Sequence, residues 1–467
     1  MSTLGCKLNE SELEAWARRF AGDGYEIVND ACAADVIVLN TCTVTHVAAR
    51  KTRQLARQLA RANPDARLVL TGCFVTISPE EAKALPNVAL VVPNATKDQL
   101  VEQIASFELR GAGGELREPS AVSDQPSAIS QQWLDADVET QVARRQVIPK
   151  AETFHPSSLT LHPSLRTRAF VKIQDGCNLA CAYCIIPHAR GEERSCPHDE
   201  IVAEVNALVS AGYKEIILTG VQISAYRNVG AGLGPAQSLR DLVAAILAET
   251  NVPRLRLTSI APWDVDEALL DLWRDARLCR HLHLSLQSGS DTVLRRMKRP
   301  YTTAQFAGAV ELARTKIFDV GITTDVIVGF PGESDDEFEQ SLKFVEQMQF
   351  SRVHVFPYSK RDGTSAALLP NQIGDAVKQA RAKQMQAVAD ASLRAFARRF
   401  FGRELTVLWE ARETIANDLQ RSAGGGWWSG YSDNYIRVVA ASDAHLANQF
   451  TTARVIDVTD DSVIAKL

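Results

Sequence analysis

The 467-residue sequence predicts an α/β protein. It consists of a doubly wound amino-terminal domain, a partial (β/α)6 barrel and a small carboxyl-terminal β-barrel. In the first hundred residues, and again from residue 168, apolar runs alternate with amphipathic helical patterns, which is typical of parallel sheets. After residue 402 the pattern changes to short alternating strands. A stretch rich in Gly, Pro, Ser and Gln separates the first two parts and reads as a flexible connector.

The domain boundaries follow from these changes of pattern. We expect the amino-terminal α/β domain to span residues 1–108 and a flexible linker without a fold to span 109–166. The barrel and a trailing helix should span 167–400, and the small β-barrel 401–467. Six barrel strands should begin near the following residues: Arg168, Glu215, Arg254, His281, Gly321 and Arg352.

The amino-terminal domain should begin with an amphipathic helix. Leu13, Trp16, Ala17 and Phe20 recur at helical spacing, with Asn9 or Ser11 as the expected cap. The runs 36–39 and 68–70 read as buried parallel strands with a helix between them.

Composition and charge limit the possible functions. No apolar run reaches the roughly 20 residues of a membrane span, and no secretory signal pattern is present, so we expect a cytoplasmic protein without membrane contact. The net charge of -5 excludes a general polyanion binder, so any contact with nucleic acid must come from local patches. The nine cysteines of a cytosolic chain are better explained as metal ligands than as a disulfide framework.

Three cysteines follow the carboxyl ends of three predicted strands in the first domain. They are Cys6, Cys42 and Cys73. Because open α/β sheets bind ligands at these ends, the three thiols should meet at one edge of the sheet and share a metal site. Buried thiols packed as small apolar groups are the alternative.

A second set, Cys177, Cys181 and Cys184, has the spacing Cys-x3-Cys-x2-Cys directly after the first barrel strand. Three thiolates on one loop can bind three irons of a [4Fe-4S] cluster and leave the fourth iron open. Structural zinc normally takes four ligands in two pairs, and His188, Cys196 and His198 lack that spacing. Zinc or inert thiols remain the alternative.

This triplet resembles the signature of radical S-adenosylmethionine (SAM) enzymes. In that family the open iron holds the methionine part of SAM, and reductive cleavage yields a 5′-deoxyadenosyl radical. The resemblance implies that the three cysteines are catalytic. It also implies a set of residues that contact SAM: Tyr183, Thr219, Gly220, Val221, Gln287, Ser288, Asp325 and Gly329.

The two cysteine sets together are similar to those of the methylthiotransferases, which use the first set for an auxiliary [4Fe-4S] cluster that delivers sulfur. Lys172–Asn178, His354–Ser359 and Arg361 look like the branch that acts on threonylcarbamoyladenosine in tRNA. The resemblance implies a cytoplasmic enzyme with two [4Fe-4S] clusters and SAM. Its partners would be the tRNA anticodon stem-loop and an electron donor such as flavodoxin or ferredoxin.

Its expected product carries a methylthio group on carbon 2 of threonylcarbamoyladenosine next to the anticodon. The alternatives are an isopentenyladenosine tRNA enzyme, a ribosomal-protein methylthiotransferase and, in a different class, a zinc-stabilised RNA-binding protein.

The carboxyl-terminal part resembles the TRAM domain that ends this family. Trp427, Trp428, Tyr431 and Tyr435 could stack on bases, although aromatic residues of a barrel core would give the same pattern. In the first domain, arginines recur at helical spacing after Cys42 and form either a solvated helix face or a guide for phosphates: Arg50, Arg53, Arg57 and Arg61.

Overall fold

The computed structural model describes residues 1–28, 30–111, 142–145, 167–228, 237–413 and 426–467. The chain forms two compact units. The first comprises residues 1–161, 176–192 and 359–368, and the second comprises 162–175, 193–358 and 369–467. Segment 176–192, with the cysteine triplet, therefore belongs to the same unit as the amino-terminal domain, although the sequence places it within the predicted barrel.

The first unit contains one six-stranded sheet. Its strands are β1 (Ser2–Thr3), β2 (Tyr25–Val28), β3 (Val36–Thr41), β4 (Arg67–Gly72), β5 (Val88–Val92) and β6 (Val142–Arg145). They lie in the order β2-β6-β3-β4-β5, with β1 beside β3. The neighbours β1–β3, β3–β4 and β4–β5 are parallel, as the apolar runs predict.

The strand β6 departs from the expectation that segment 109–166 has no fold. It pairs antiparallel with β2 and touches β3. Strand pairing uses backbone hydrogen bonds, so a short strand between two partners needs no clear apolar pattern of its own. Residues 109–111 of the expected linker continue a helix, and its remaining residues lie outside the described part of the chain.

Among its described residues, the first unit has six α-helices. They are α1 (Lys7–Gly22), α2 (His46–Ala62), α3 (Cys73–Ile77), α4 (Pro79–Lys83), α5 (Leu100–Gly111) and α6 (Ile186–Arg190). The predicted apolar face of α1 is confirmed, because Trp16 and Phe20 are buried in the core with the sheet. The predicted cap was wrong: α1 begins at Lys7, and the amide of Asn9 instead donates to the backbone oxygens of Leu4 and Thr41.

The second unit begins with an α/β barrel. Its strands are β7 (Arg168–Lys172), β8 (Gln174–Asp175), β9 (Arg194–Ser195), β10 (Glu215–Thr219), β11 (Arg227–Asn228), β12 (Gln237–Ser238), β13 (Arg254–Leu257), β14 (Ser259–Ile260), β15 (His281–Leu284), β16 (Gly321–Val328) and β17 (Arg352–Pro357). Its helices are α7 (His198–Ser210), α8 (Leu239–Glu249), α9 (Glu267–Leu270), α10 (Asp291–Arg296), α11 (Thr303–Lys316), α12 (Asp335–Met348) and α13 (Asp375–Arg398).

The six predicted barrel strands are confirmed. The wall consists of a sheet in the order β13-β10-β7 and a sheet in the order β14-β15-β16-β17, with parallel neighbours throughout. The strand expected from Arg254 is interrupted at Thr258, whose hydroxyl donates to the backbone oxygen of Leu218. No described helix has the length and hydropathy needed to cross a membrane.

The second unit ends in a closed five-stranded barrel, as predicted. Its strands are β18 (Glu404–Glu413), β19 (Gly426–Ser432), β20 (Arg437–Ser442), β21 (Phe450–Val458) and β22 (Val463–Lys466). The glycines of Gly426–Ser432 disguise the alternation of β19 in the sequence. Trp427 and Trp428 are buried, and Tyr431 stacks on Tyr435 with ring centroids 5.1 Å apart. These aromatic residues serve packing rather than an open base-stacking surface.

A buried charge network joins the two barrels of the second unit. Arg256 Nε and Nη2 donate to Glu215 at 2.7 and 3.1 Å, and both side chains are fully buried. Arg254 and Arg256 also donate to backbone oxygens of the small barrel, at Tyr431 and Ser432. Arg256 lies 4.5 Å from the ring centroid of Tyr435. The carboxylate of Glu215 thus holds two guanidinium groups that bind the small barrel.

We predict that Glu215→Gln lowers the free energy of unfolding by about 3 kcal/mol at pH 7, since it leaves buried arginines without their counter-charge. Burial alone would raise the pKa of Glu215, but Arg256 and its neighbours lower it to about 2. The carboxylate therefore stabilises the fold above its unfolded pKa of about 4.5, and this contribution disappears as the pH falls toward 2.

Urea unfolding of both proteins between pH 3 and pH 7 measures this difference. The exposed carboxylate of Glu404, which pairs with Arg454 at 2.8 Å, supplies the control Glu404→Gln with an expected change below about 0.5 kcal/mol. Equal stability of Glu215→Gln and the unmodified protein at pH 7 would contradict the prediction.

Candidate metal centres

The first three cysteines lie at one edge of the sheet, as the sequence predicts. Adjacent parallel strands β1, β3 and β4 end at Thr3, Thr41 and Gly72, and Cys6, Cys42 and Cys73 follow within three residues of these ends. Thr41 pairs with Gly72 in register. A side chain on Gly5 would come within 2.9 Å of the Cys42 Cβ, so this position has room only for glycine.

The thiols are close enough to influence each other. Burial, with smaller contributions from Cys73 and Cys6, raises the pKa of Cys42 to about 12, although a backbone hydrogen bond at Val44 and the charge of Arg190 act against this rise. Burial also raises the pKa of Cys73, again against Arg190. Three thiols in one place are costly as free thiolates, whereas a metal ion or cluster deprotonates its thiols outright. The donor set therefore fits a thiophilic metal group held by Cys6, Cys42 and Cys73.

A buried polar network lies beneath these cysteines. The carboxylate of Glu12 accepts hydrogen bonds from Lys97 and from Arg190 Nη1, the latter at 2.9 Å. Asn40 Nδ2 donates to the other oxygen of Glu12 at 3.0 Å, and Arg190 Nη2 donates to Asn9 Oδ1 at 2.6 Å. The buried guanidinium of Arg190 thus connects segment 176–192 to helix α1.

The triplet occupies a loop with a constrained start. Gly176 has φ of +72°, and a side chain there would meet the Glu192 backbone oxygen at 1.9 Å. The Cys177 N–H donates to the Gly191 oxygen at 3.1 Å, and the Cys184 N–H donates to the Cys181 oxygen at 3.1 Å. Cys177 is buried, whereas Cys181 and Cys184 are partly exposed. One short loop therefore presents three thiols, with Tyr183 between the last two, as the spacing predicts.

The residues expected to contact SAM lie in both units. Tyr183 belongs to the first unit, and the others belong to the second. Gln287 N–H donates to the Asp325 backbone oxygen at 2.8 Å, so these two residues meet at one edge of the barrel wall. Gln287 has φ of +68°. Ser288 is fully buried, and its hydroxyl accepts from the Ser290 N–H at 3.2 Å, so this side chain serves its own turn.

The remaining expected contacts are turn residues. Thr219 is buried at the end of β10, and its backbone oxygen accepts from the Ile173 N–H at 2.9 Å. A side chain on Gly220 would lie 2.8 Å from the Gln174 oxygen, and Val221 follows it, half-buried. Gly329 has φ of +71°, and its N–H donates to Glu333 at 2.7 Å. These positions stay candidate SAM contacts.

The sequence reasoning missed His283 as a site residue. His283 Nε2 lies 3.2 Å from Asp325 Oδ2, and one ligand atom each from His283, Asp325 and His354 lie within 4.8 Å of one another. The three residues occupy neighbouring strands β15, β16 and β17. In β15 the sequence alternates His-Leu-His-Leu, so His281 and His283 share one face of the strand. This alternation is the sequence signal that could have identified His283.

Comparison with known proteins gives two family matches. Residues 171–345 match the Radical SAM superfamily, and residues 1–93 match a family described as "Uncharacterized protein family UPF0004". The chain has a parallel α/β barrel whose first strand is followed by the triplet Cys177, Cys181 and Cys184, and it matches the first of these families. These features define it as a radical SAM enzyme.

Curated relatives narrow the class. The chain is 35% identical to the threonylcarbamoyladenosine tRNA methylthiotransferase MtaB of Bacillus subtilis, over 97% of this chain and 92% of that protein. It is 34% identical to the protein of the same name from Thermotoga maritima, over 100% of this chain and 96% of that protein. The chain is 31% identical to the tRNA-2-methylthio-N(6)-dimethylallyladenosine synthase of Syntrophus aciditrophicus, over 84% of this chain and 78% of that protein. The chain belongs to the radical SAM methylthiotransferase family.

We predict that Gly176→Ala removes the cluster of the triplet while the first cluster stays. The added Cβ collides with backbone, so the loop cannot close around its metal. Iron should fall from about eight to about four per chain, measured on anaerobically reconstituted protein.

Gly191→Ala is the matched control. Gly191 has a similar φ of +74°, but nothing lies within 4 Å of a Cβ there, so iron should stay near the unmodified value. Equal iron loss in both variants would show that backbone strain, rather than the collision, prevents the loop from binding its metal.

Proposed function

We propose that this enzyme attaches a methylthio group to carbon 2 of threonylcarbamoyladenosine in tRNA, beside the anticodon. The observation that carries the proposal is the presence of two separate three-cysteine sets, Cys6 with Cys42 and Cys73, and Cys177 with Cys181 and Cys184. Relatives named for this substrate match nearly the whole chain and support it. We place the reaction in the cytoplasm, with the anticodon stem-loop as substrate and flavodoxin or ferredoxin as electron donor.

Two [4Fe-4S] clusters and SAM are the cofactors of this family, and each cysteine set has the thiols to hold one cluster. When bound, they supply a carbon-centred radical that takes hydrogen from an unactivated carbon, together with the sulfur and methyl groups of the product. Cys177, Cys181 and Cys184 would hold three irons of a [4Fe-4S] cluster, and the fourth iron would be available to SAM. Gln287, Asp325 and the Gly329 turn are proposed to orient SAM.

Burial of two thiols and the polar network around Glu12 determine the surroundings of the sulfur-delivering cysteines. Cys42 and Cys73 are buried, so competing nucleophiles from solvent have little access to them. Glu12, Lys97 and Arg190 are buried and fix the backbone that carries both cysteine sets. Cys6 is exposed and marks the side from which a substrate can approach.

The modified nucleoside tests this proposal. In a deletion strain, mass analysis of tRNA nucleosides should show loss of the 2-methylthio form of threonylcarbamoyladenosine. Threonylcarbamoyladenosine without the methylthio group should accumulate. The intact gene should restore the product, and Cys181→Ala should not, because it removes a ligand of the triplet.

Loss of the 2-methylthio form of isopentenyladenosine instead would favour the relative from Syntrophus aciditrophicus as the guide to substrate. Full restoration by Cys181→Ala would contradict the role of the triplet.

An arginine stripe on α2 supports tRNA as the partner. Four arginines and two glutamines line an open groove of about 330 Å³: Arg50, Arg53, Gln54, Arg57, Gln58 and Arg61. Arg53 pairs with Glu81 at 3.0 Å, whereas among the described residues Arg50, Arg57 and Arg61 have no carboxylate partner. Eleven residues of helix separate Arg50 from Arg61, a span of about 16 Å. Such a stripe on a chain of net charge -5 is suited to an RNA backbone.

We predict that the double variant Arg57→Gln with Arg61→Gln weakens binding of an anticodon stem-loop and lowers its salt dependence. The slope of log affinity against log salt should fall by about 2, roughly one for each lost phosphate contact. Fluorescence anisotropy at several salt concentrations measures it.

Arg274→Gln with Arg295→Gln makes the same change of charge at exposed sites of the second unit and should leave the slope unchanged. If both double variants lower the slope equally, net charge rather than the stripe explains the effect.

A further inference from the structure

Segment 359–368 contacts both cysteine-bearing parts of the first unit. The Ser359 hydroxyl accepts a hydrogen bond from the His46 N–H at 3.3 Å, near the loop that follows Cys42. The Ala366 N–H donates to the Ala182 oxygen at 2.7 Å, inside the triplet loop. A side chain at position 361 therefore lies in a segment fixed at both ends.

That side chain is a buried arginine whose hydrogen-bond partners are all neutral. Arg361 is 8% exposed. Its Nη2 donates to Thr43 Oγ1 at 2.7 Å, and its Nη1 donates to His46 Nδ1 at 3.2 Å. A guanidinium has no acceptor, so His46 Nδ1 must be unprotonated, and burial together with Arg361 lowers the pKa of His46 in agreement.

The positive charge of Arg361 lacks a counter-charge among the described residues. No described carboxylate forms an ion pair with it, and its Nε is buried without a hydrogen-bond partner. Burial lowers the pKa of Arg361, the neighbouring Cys42 and Asp362 raise it, and Arg53 lowers it. Burying an uncompensated guanidinium costs several kcal/mol, so a negative group is expected beside it.

The negative group indicated by the geometry is the metal site itself. Thr43, which Arg361 binds, directly follows Cys42, and Cys42 lies with Cys6 and Cys73 at the same edge of the sheet. Arg190 is also near these cysteines, but its charge is compensated by Glu12. Arg361 has no such compensation within the described residues.

We propose that Arg361 supplies the counter-charge for the iron–sulfur cluster held by Cys6, Cys42 and Cys73, and that it sets the reduction potential of that cluster. This inference rests on the proposed function, since it requires a cluster at these cysteines. A fixed positive charge stabilises the reduced cluster, which is the more negative form, and thereby makes the potential more positive. Arg361 is a positioning residue and does not itself contact the tRNA.

The test uses the full-length chain with Cys177, Cys181 and Cys184 changed to Ala, so that only the first cluster contributes to the signal. In this background Arg361→Met and Arg361→Gln remove the charge, and Arg361→Lys keeps it. Iron and acid-labile sulfide are measured first, followed by a redox titration monitored by electron paramagnetic resonance.

Both neutral variants should shift the midpoint potential to more negative values, whereas Arg361→Lys, which keeps the charge, should stay close to the potential of the background protein. Arg57→Met, which removes an exposed charge on α2, should leave the potential unchanged. Glutamine can still donate to Thr43, so a shift in Arg361→Gln reports charge rather than a lost hydrogen bond.

The inference is overturned if the neutral variants keep the potential of their background, or if Arg361→Lys shifts it as far as Arg361→Met does. Absence of iron in the background protein would have a different meaning: it would remove the first cluster from the proposed function, and the inference with it.

Discussion

The buried carboxylate of Glu12 connects the separate segments of the first unit by hydrogen bonds. Glu12 accepts hydrogen bonds from Lys97 on one side, from Arg190 on another and from Asn40 in the sheet. Arg190 lies near the end of segment 176–192, which carries the triplet, and Asn40 is two residues before Cys42. Loss of one partner from an ion pair buried this deeply strongly destabilises the fold. The placement of both cysteine sets therefore depends on the ion pairs of Glu12. The same unit therefore contains both cysteine sets.

The second unit uses the same kind of constraint for a different purpose. Glu215 compensates two arginines, and these arginines bind backbone oxygens of the small β-barrel. The aromatic side chains that could have stacked on bases instead pack in this region. Tyr435 lies over Arg256 and 4.6 Å from the ring centroid of His281. Arginine hydrogen bonds and aromatic packing together connect the small barrel to the α/β barrel.

Local sequence signals predicted much of the fold. Strand β10 is a nearly continuous apolar run that is buried along its length, as expected for a strand covered on both faces. Strands β13 and β15 instead alternate leucine with arginine or histidine, and they also begin where the sequence predicts. The cap of α1 and the short strand β6 were harder to predict. The start of α1 depends on Asn9 reaching Thr41, which lies 32 residues away, and β6 depends on its neighbours in the sheet rather than on its own pattern.

The sequence by itself determined the donor chemistry: two sets of three cysteines, each with a spacing or strand position that predicts metal ligation. Only the tertiary structure decided that the triplet loop packs with the amino-terminal sheet, that His283 meets Asp325 and that Arg361 lies beside Thr43. Spacing along the chain is a local property and is visible in the sequence. The electrostatic surroundings of a thiol depend on charges from residues hundreds of positions away, which only folding brings together.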